Sequence, residues 1–307
     1  MTAATTQSLA SRRLALGALS AHLLVALIAL VGIGGATRVM QAGLACPDWP
    51  LCYGSLLPGR QMNLQVFLEW FHRLDAFVVG VGLMVQAGGT WWWRRELPRW
   101  VPLLSVGSLL LVAVQGGLGA LTVTLLLPFP VVTAHLITAL ILVALLSACT
   151  QLLLEPSPSR TTPSQSRGWF NVVWPWVIGA VAGLAIGQCL LGGLMATQWA
   201  AGRCLSDGQA CGWLLAHRLG ARPVALAVMG AALMVAWRRP QDRSLSAFAC
   251  VSVLAQIALG VISLRLTLAV PLVTVAHQLV AALLVAVLAA LFSRSLLQPF
   301  SQEFSHG

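Results

Sequence analysis

The sequence predicts an all-α integral membrane protein whose eight transmembrane helices form two duplicated four-helix bundles. Three observations lead there: a charge-poor composition, apolar runs of bilayer length, and an internal repeat of chemically distinctive residues. Only 8% of the 307 residues are charged, 58% are hydrophobic, and the mean hydropathy is +0.86. A soluble domain carries about 25% charged residues, so this composition cannot furnish an ordinary water-exposed surface. The net charge of +10 does not point to nucleic acid. All 18 basic residues are arginine, and most flank apolar runs instead of forming a stripe.

Eight apolar segments lie at roughly 14–36, 66–91, 100–124, 129–153, 171–196, 212–237, 245–268 and 271–293. Each is near the ~20 residues that a bilayer-crossing helix needs. The first follows Arg12 and Arg13 and so has the outline of a signal sequence. Its apolar stretch exceeds the about 7–15 residues of a signal core, and no small-residue cleavage site follows, so it reads as a retained helix. Alternate loops hold Arg12 and Arg13, then Arg94, Arg95 and Arg99, then Arg160 and Arg167, then Arg238, Arg239 and Arg243, and finally Arg294. The opposite loops hold only Arg38, Arg60, Arg203 and Arg265. Basic loops stay in the cytoplasm, so both termini are expected there and the long first loop, about 37–65, on the outer side. Trp91, Trp92 and Trp93 suit an aromatic belt at the cytoplasmic interface. A stretch rich in Pro, Ser and Thr separates an N-terminal half, 1–154, from a C-terminal half, 171–307, and residues 155–170 read as a flexible linker.

The halves repeat. His72-Arg73-Leu74 in the second segment returns as His217-Arg218-Leu219, 145 residues later, and His135 in the fourth returns as His277, 142 residues later. Gln115 matches Gln256, and the loop pair Cys46 and Cys52 matches Cys204 and Cys211. Four spans per copy keep the copies in one orientation, a parallel repeat.

Histidines inside a membrane are costly and mark function. His72, His135, His217 and His277 each lie about four to seven residues inside a segment that starts on the outer side, so the spacing sets them at one depth, roughly 6–10 Å in. Two imidazoles per four-helix core are what axial ligation of a haem iron requires. The plainer reading, four polar core histidines satisfied by neighbours, does not account for the shared depth. A non-haem metal would call for carboxylates around each pair, and only one pair has one. Glu69 stands three residues before His72, on the same helix face, whereas Leu214 holds the matching place before His217. The pattern implies two haem sites: an N-terminal one that does chemistry on its haem and a C-terminal one that keeps a haem as a fixed cofactor. Glu69 could instead be a solvated residue favoured at a helix start. Arg73 and Arg218 are candidates to grip haem propionates, or are snorkelling interfacial arginines. Asp75 is a less specific candidate, an outer partner of the ligand residues or a counter-ion to Arg73. His22 has no counterpart in the second half and reads as structural; His306 has no assigned role.

The cysteine pairs Cys46–Cys52 and Cys204–Cys211 fall in loops placed on the outer side, where disulfides form. Each would close a short loop above the histidine layer, as a clamp or as a redox pair. Cys149, Cys189 and Cys250 read as small apolar fillers within helices. The Gly32, Gly34, Gly35 cluster lacks the strand–turn–helix context of a dinucleotide site and suits close helix packing. No flavin, nicotinamide or iron–sulfur motif occurs, so any electrons come from another protein.

These residues resemble the haem A synthase family. The resemblance covers nearly the whole chain and is most specific in Gly43-Leu44-Ala45-Cys46-Pro47-Asp48-Trp49-Pro50-Leu51-Cys52 and Glu69-Trp70-Phe71-His72-Arg73. His135-Leu136-Ile137-Thr138, His217-Arg218 and His277-Gln278 complete it. It implies that Glu69, His72 and His135 form the site for haem O as substrate, with Glu69 catalytic, and that His217 and His277 ligate the iron of a haem b. The implied reaction converts the C8 methyl of haem O through a hydroxymethyl stage to a formyl group, in support of cytochrome oxidase assembly. Haem O synthase and an external electron donor are the implied partners, in a bacterial plasma membrane or another energy-transducing membrane; a homo-oligomer is left open. Two other readings use the same histidines: a bis-histidine cytochrome b that only passes electrons, and a haem carrier or assembly factor that leaves haem unaltered.

Overall fold

The computed structural model describes residues 3–155, 169–197, 200–208 and 211–297. Eight of its helices are long and apolar enough to cross a membrane, and the protein is a multi-pass integral membrane protein. They are α1 (Ala3–Val39), α2 (Leu64–Trp92), α3 (Trp100–Thr124), α4 (Phe129–Leu154), α5 (Trp169–Thr197), α7 (Cys211–Arg238), α8 (Arg243–Arg265) and α9 (Pro271–Leu297). Every segment expected from the sequence is present with ends shifted by a few residues, apart from α1, which starts about three turns earlier. The short helix α6 (Ala200–Asp207) was not expected; it carries Cys204 in the loop before α7. Its charged and small residues give no bilayer-length run, so a search for spans passes over it. The linker expected at 155–170 and His306 lie largely outside the described residues.

Local chemistry explains the ends. Asn63 caps α2, its side-chain oxygen accepting from Val66 N–H at 3.0 Å. The α3–α4 turn sets Leu126 and Leu127 at positive φ, and the Leu127 N–H donates back to Thr122 C=O at 2.7 Å. The α8–α9 turn repeats this with Thr267, Leu268 and the Leu268 N–H to Ser263 C=O bond at 2.9 Å. Left-handed backbone is unfavourable for leucine and threonine, so the helix-end bonds and packing must hold both turns.

Packing follows the same order in the first four and last four spans. Within each set the first helix touches the second and fourth, and the third touches its two neighbours; α4 and α9 then meet across the middle, flanked by α1 on α9 and α5 on α4. One buried cluster joins Leu23, Leu27, Val79, Leu83, Leu140 and Val143 to Val285 and Ala286 of α9. A second is built around Ile178, Val228, Ala232 and Leu288. At the end of the bundle away from the cysteine loops, Arg294 bonds Asp242 at 2.6 Å and pairs with Glu155, while Arg239 pairs with Asp242 at 2.6 Å. This buried ion network ties α4, α9 and the α7–α8 turn. At the same end Arg12 lies 5.5 Å over Trp93 and Arg94 5.2 Å over Trp91, an arrangement suited to an interfacial belt.

Candidate functional site

The cysteine end of the bundle carries His72, His135, His217 and His277. His135, His217 and His277 each stand six residues after the start of their helix, and His72 eight after Leu64. His72 and His135 face each other with ring centroids 6.5 Å apart and planes at 74°. Two metal–imidazole bonds of about 2 Å, with ring centres just over 1 Å behind the nitrogens, give a separation of about 6 to 6.5 Å, so this pair fits an iron held between two histidines. His217 and His277 also lie within electrostatic reach of each other. Among the described residues no three His, Cys, Asp or Glu side chains gather as a non-haem metal site would need.

A shared support fixes each imidazole. The glycine facing each ring on the preceding spanning helix is Gly34 for His72, Gly119 for His135, Gly192 for His217 and Gly260 for His277. A Cβ on these glycines would stand 2.9, 3.8, 3.0 and 3.3 Å from the ring Cε1 atoms, respectively. The first, third and fourth approaches are closer than ordinary contact, and glycine there spares the ring a displacement. One turn before three of these glycines stands a glutamine whose Nε2 donates to the histidine's own C=O. The distances are 2.9 Å from Gln115 to His135, 2.6 Å from Gln188 to His217 and 2.7 Å from Gln256 to His277. In α1 that place is Leu30. His217 Nδ1 lies 3.1 Å from Gln188 Nε2, whereas Nδ1 of His72, His135 and His277 is buried without a hydrogen-bond partner. A ligand histidine is ordinarily held through one nitrogen by such an outer partner while the other meets the metal. The sequence reading picked out Gln115 and Gln256 but missed Gln188 and the role of the glycines. The signal was a Gln-x-x-x-Gly spacing at 115/119, 188/192 and 256/260.

The two pairs differ in what surrounds them. Glu69 is 4% exposed; its Oε2 accepts from Cys46 N–H at 2.8 Å and its Oε1 from Arg73 Nη2 at 2.5 Å. It is therefore no solvated helix-start residue. The sequence offered Arg73 to a propionate, yet its guanidinium is taken up by Glu69 and by the carbonyls of Asp48 at 2.6 Å and Leu51 at 2.5 Å. Arginine's planar fork suits this bridging of a carboxylate and a loop backbone. Asp75 is not among the partners of Arg73; Glu69 is the counter-ion. Arg218 is exposed on α7, and so is Arg222, a charged residue inside the span that the sequence reading passed over. His22 bonds its own helix at Ala18 C=O, 2.7 Å away.

Both disulfides are formed, Cys46–Cys52 and Cys204–Cys211. The first is buried against Val66, with Met62 and Trp70 packed on it; the second is more open, on α6 and the start of α7. The Asp48 carboxylate accepts from Tyr53 N–H at 2.6 Å and Gly54 N–H at 2.8 Å, with Gly54 at φ +69° closing the turn. Trp70 Nε1 donates to Leu56 C=O at 2.6 Å, so the first loop is stitched onto α2 above Glu69. Cys149 is less apolar than expected: it is buried with Ser105 at 3.5 Å and Gln86 at 3.9 Å.

Fold and site define the class: a polytopic membrane protein with four histidines at one end, His72 and His135 facing each other and a buried carboxylate, Glu69, one turn before His72. Residues 18–289 match the family model described as "Cytochrome oxidase assembly protein" (COX15-CtaA), and the chain belongs to that family. It is similar to the heme A synthase of Shewanella oneidensis, 32% identical over 59% of this chain and 57% of that protein. It is also similar to the heme A synthase of Mesorhizobium japonicum, 29% identical over 62% of this chain and 58% of that one. A third, from Sphingopyxis alaskensis, is 30% identical over 38% and 42% of the two chains. The matched stretches thus span about half the length of these relatives.

Proposed function

We propose that this protein is a haem A synthase: an oxidoreductase that takes the C8 methyl of haem O through a hydroxymethyl stage to a formyl group. From methyl to formyl that carbon loses four electrons and four protons in all and gains one oxygen atom. With water as the oxygen source a separate redox protein accepts the electrons; with dioxygen as the oxidant it donates those that reduce the remaining oxygen to water. Haem O occupies the pair His72 and His135 in an N-terminal half, residues 1–154. A haem b occupies His217 and His277 in a C-terminal half, residues 171–307, joined through 155–170. The iron of each haem supplies redox chemistry; the protein supplies the imidazoles and the surroundings. Both termini are cytoplasmic and the cysteine loops face outward, in line with the arginine distribution.

The observation that carries this reading is the asymmetry of two otherwise matched sites. Both pairs have a glycine behind each ring, but only His72 and His135 have a buried carboxylate one turn away, and Leu214 fills the matching place. An electron-transfer protein or carrier needs no proton-handling carboxylate beside one haem. An enzyme that moves protons during methyl oxidation does. Arg73 and the Cys46 N–H hold the carboxylate in place, and Arg218 is assigned to a propionate of haem b. Haem O synthase is the partner that supplies the substrate.

The test is haem extraction and mass analysis from cells that make haem O, with and without the protein. Haem A or its hydroxymethyl precursor appearing only with the protein supports the synthase. Unchanged haem O beside a purified protein carrying b-type haem would instead mean a cytochrome or a carrier. Glu69→Gln is expected to cut product formation by roughly a hundredfold or more while b-type haem content stays at the wild-type level. Full turnover in that variant would remove Glu69 from the chemistry.

A further inference from the structure

A cleft of about 330 Å³ runs between α2 and α3, lined by Ala76, Gly80, Met84, Leu109, Val112 and Ala113 among others. Its upper end lies at the substrate pair: Ala76 is one turn past His72, and Ala113 is two residues before Gln115, the residue bonded to the His135 carbonyl. From Ala76 to Met84 it descends about 12 Å along α2, toward the middle of the membrane. The lining is apolar, and Phe77 and Met84 at its mouth are 69% and 53% exposed on the lipid side. Gly80 leaves it open, because a Cβ there would meet no atom within 4 Å.

The matching place beside the other pair is built differently. Gly80 corresponds to Ala225 and Val112 to Val253, each 4% exposed and part of one buried cluster. Met229 and Cys250, which correspond to Met84 and Leu109, pack against that cluster, and Arg222 stands where Phe77 does. The cleft therefore accompanies the haem that is to be changed, whereas beside the other pair Ala225 and Val253 are buried where Gly80 and Val112 are part-exposed. Haem O differs from haem b by a hydroxyethylfarnesyl substituent, a long apolar chain in place of a vinyl group. A chain of about three isoprene units, with carbon–carbon bonds of about 1.5 Å, spans a length comparable to the cleft. The volume also falls at the lower end of the roughly 300–1,000 Å³ usual for ligand pockets.

We infer that the α2–α3 cleft is the site for the isoprenoid tail of the substrate haem, and that it selects haem O over haem b. The inference rests on haem O being the substrate. The tail lies along α2 and α3 with its far end toward lipid, so a long apolar group is accommodated without enlarging the core around the imidazoles. The second cleft of note, between α4 and α5, lies on the side of α4 turned from His135 and does not serve this purpose.

The test uses the purified protein with its b-type haem in place, titrated separately with haem O and with protohaem, which lacks the tail. The wild type should bind haem O more tightly. Gly80→Leu fills the cleft from α2 and Ala113→Leu from α3; each should weaken haem O binding on the order of tenfold and leave protohaem uptake unchanged. Gly88→Leu, two turns deeper on the same helix where a Cβ also meets nothing within 4 Å, should change neither. Equal wild-type affinity for the two haems overturns the assignment. So does wild-type haem O binding in both filled variants, which would leave the cleft to membrane lipid, or an equal loss of haem O and protohaem. A wild type that prefers haem O but never oxidises it would sink the synthase reading and leave the tail site standing.

Discussion

At Gly192 the packing margin of a single hydrogen decides whether an imidazole can sit where it does. Its Cβ, if present, would come within 3.0 Å of the His217 ring, and one on Gly34 within 2.9 Å of His72, whereas one on Gly119 would stay 3.8 Å from His135. Gly192→Ala should therefore lower b-type haem content on the order of tenfold, the usual scale for disturbing a residue behind a metal ligand. Gly119→Ala should be tolerated. Haem per protein by pyridine haemochrome spectra checks both, and equal behaviour of the two variants would refute the contact argument. The four histidines and Glu69 stood out in the sequence because polar residues are rare inside apolar runs. Their supports did not, since a glycine or glutamine in a membrane helix is unremarkable until its neighbour across the interface is known. Arg73 shows the limit most clearly. Its place after His72 suggested a propionate, and only the folded loop, with the carbonyls of Asp48 and Leu51, reveals its partners.

Between single residues and the bundle, the cysteine loops are the elements that differ most between the halves. The first is packed down by Trp70, Arg73 and the Asp48 turn, with Cys46 and Cys52 0% and 1% exposed. The second is a short helix with its disulfide at the surface. A limiting concentration of a water-soluble reductant should open Cys204–Cys211 well before Cys46–Cys52, because thiol exchange needs access to the sulfur. Alkylation followed by peptide mass mapping would show the order, and simultaneous loss of both would contradict the burial. Arg73→Ala should narrow that difference, since it removes the guanidinium that ties the loop to α2; a first disulfide as protected as before would show that the other loop contacts suffice. The spans themselves were readable to within a few residues, the start of α1 apart, because bilayer thickness imposes a length that composition reports directly. Helix α6 was not, because nothing in its charged and small residues distinguishes it from a loop.

Across the whole molecule, the contact between the first four and last four spans could not be read from sequence, where it leaves no periodic trace. It depends on α4 meeting α9 and on the ion network at the arginine end. Arg239 and Asp242 are each 1% exposed. Removing one buried partner strands the other's charge, so Asp242→Ala is expected to cost about 3–5 kcal/mol, read as a lowered unfolding temperature in detergent. An unchanged transition would mean that water replaces the carboxylate there. The central place of α9 also bears on how the protein is made. It is half buried in its most apolar stretch, the largest share of any span, and it touches α1, α4, α5 and α8. Translation delivers the spans in order, so α9 leaves the ribosome after all its partners. Until then α1 and α4 present an unfinished face and His217 has no His277. The last of the eight spans thus closes both halves at once, and a chain stalled before it offers the cell's membrane proteases an open seam.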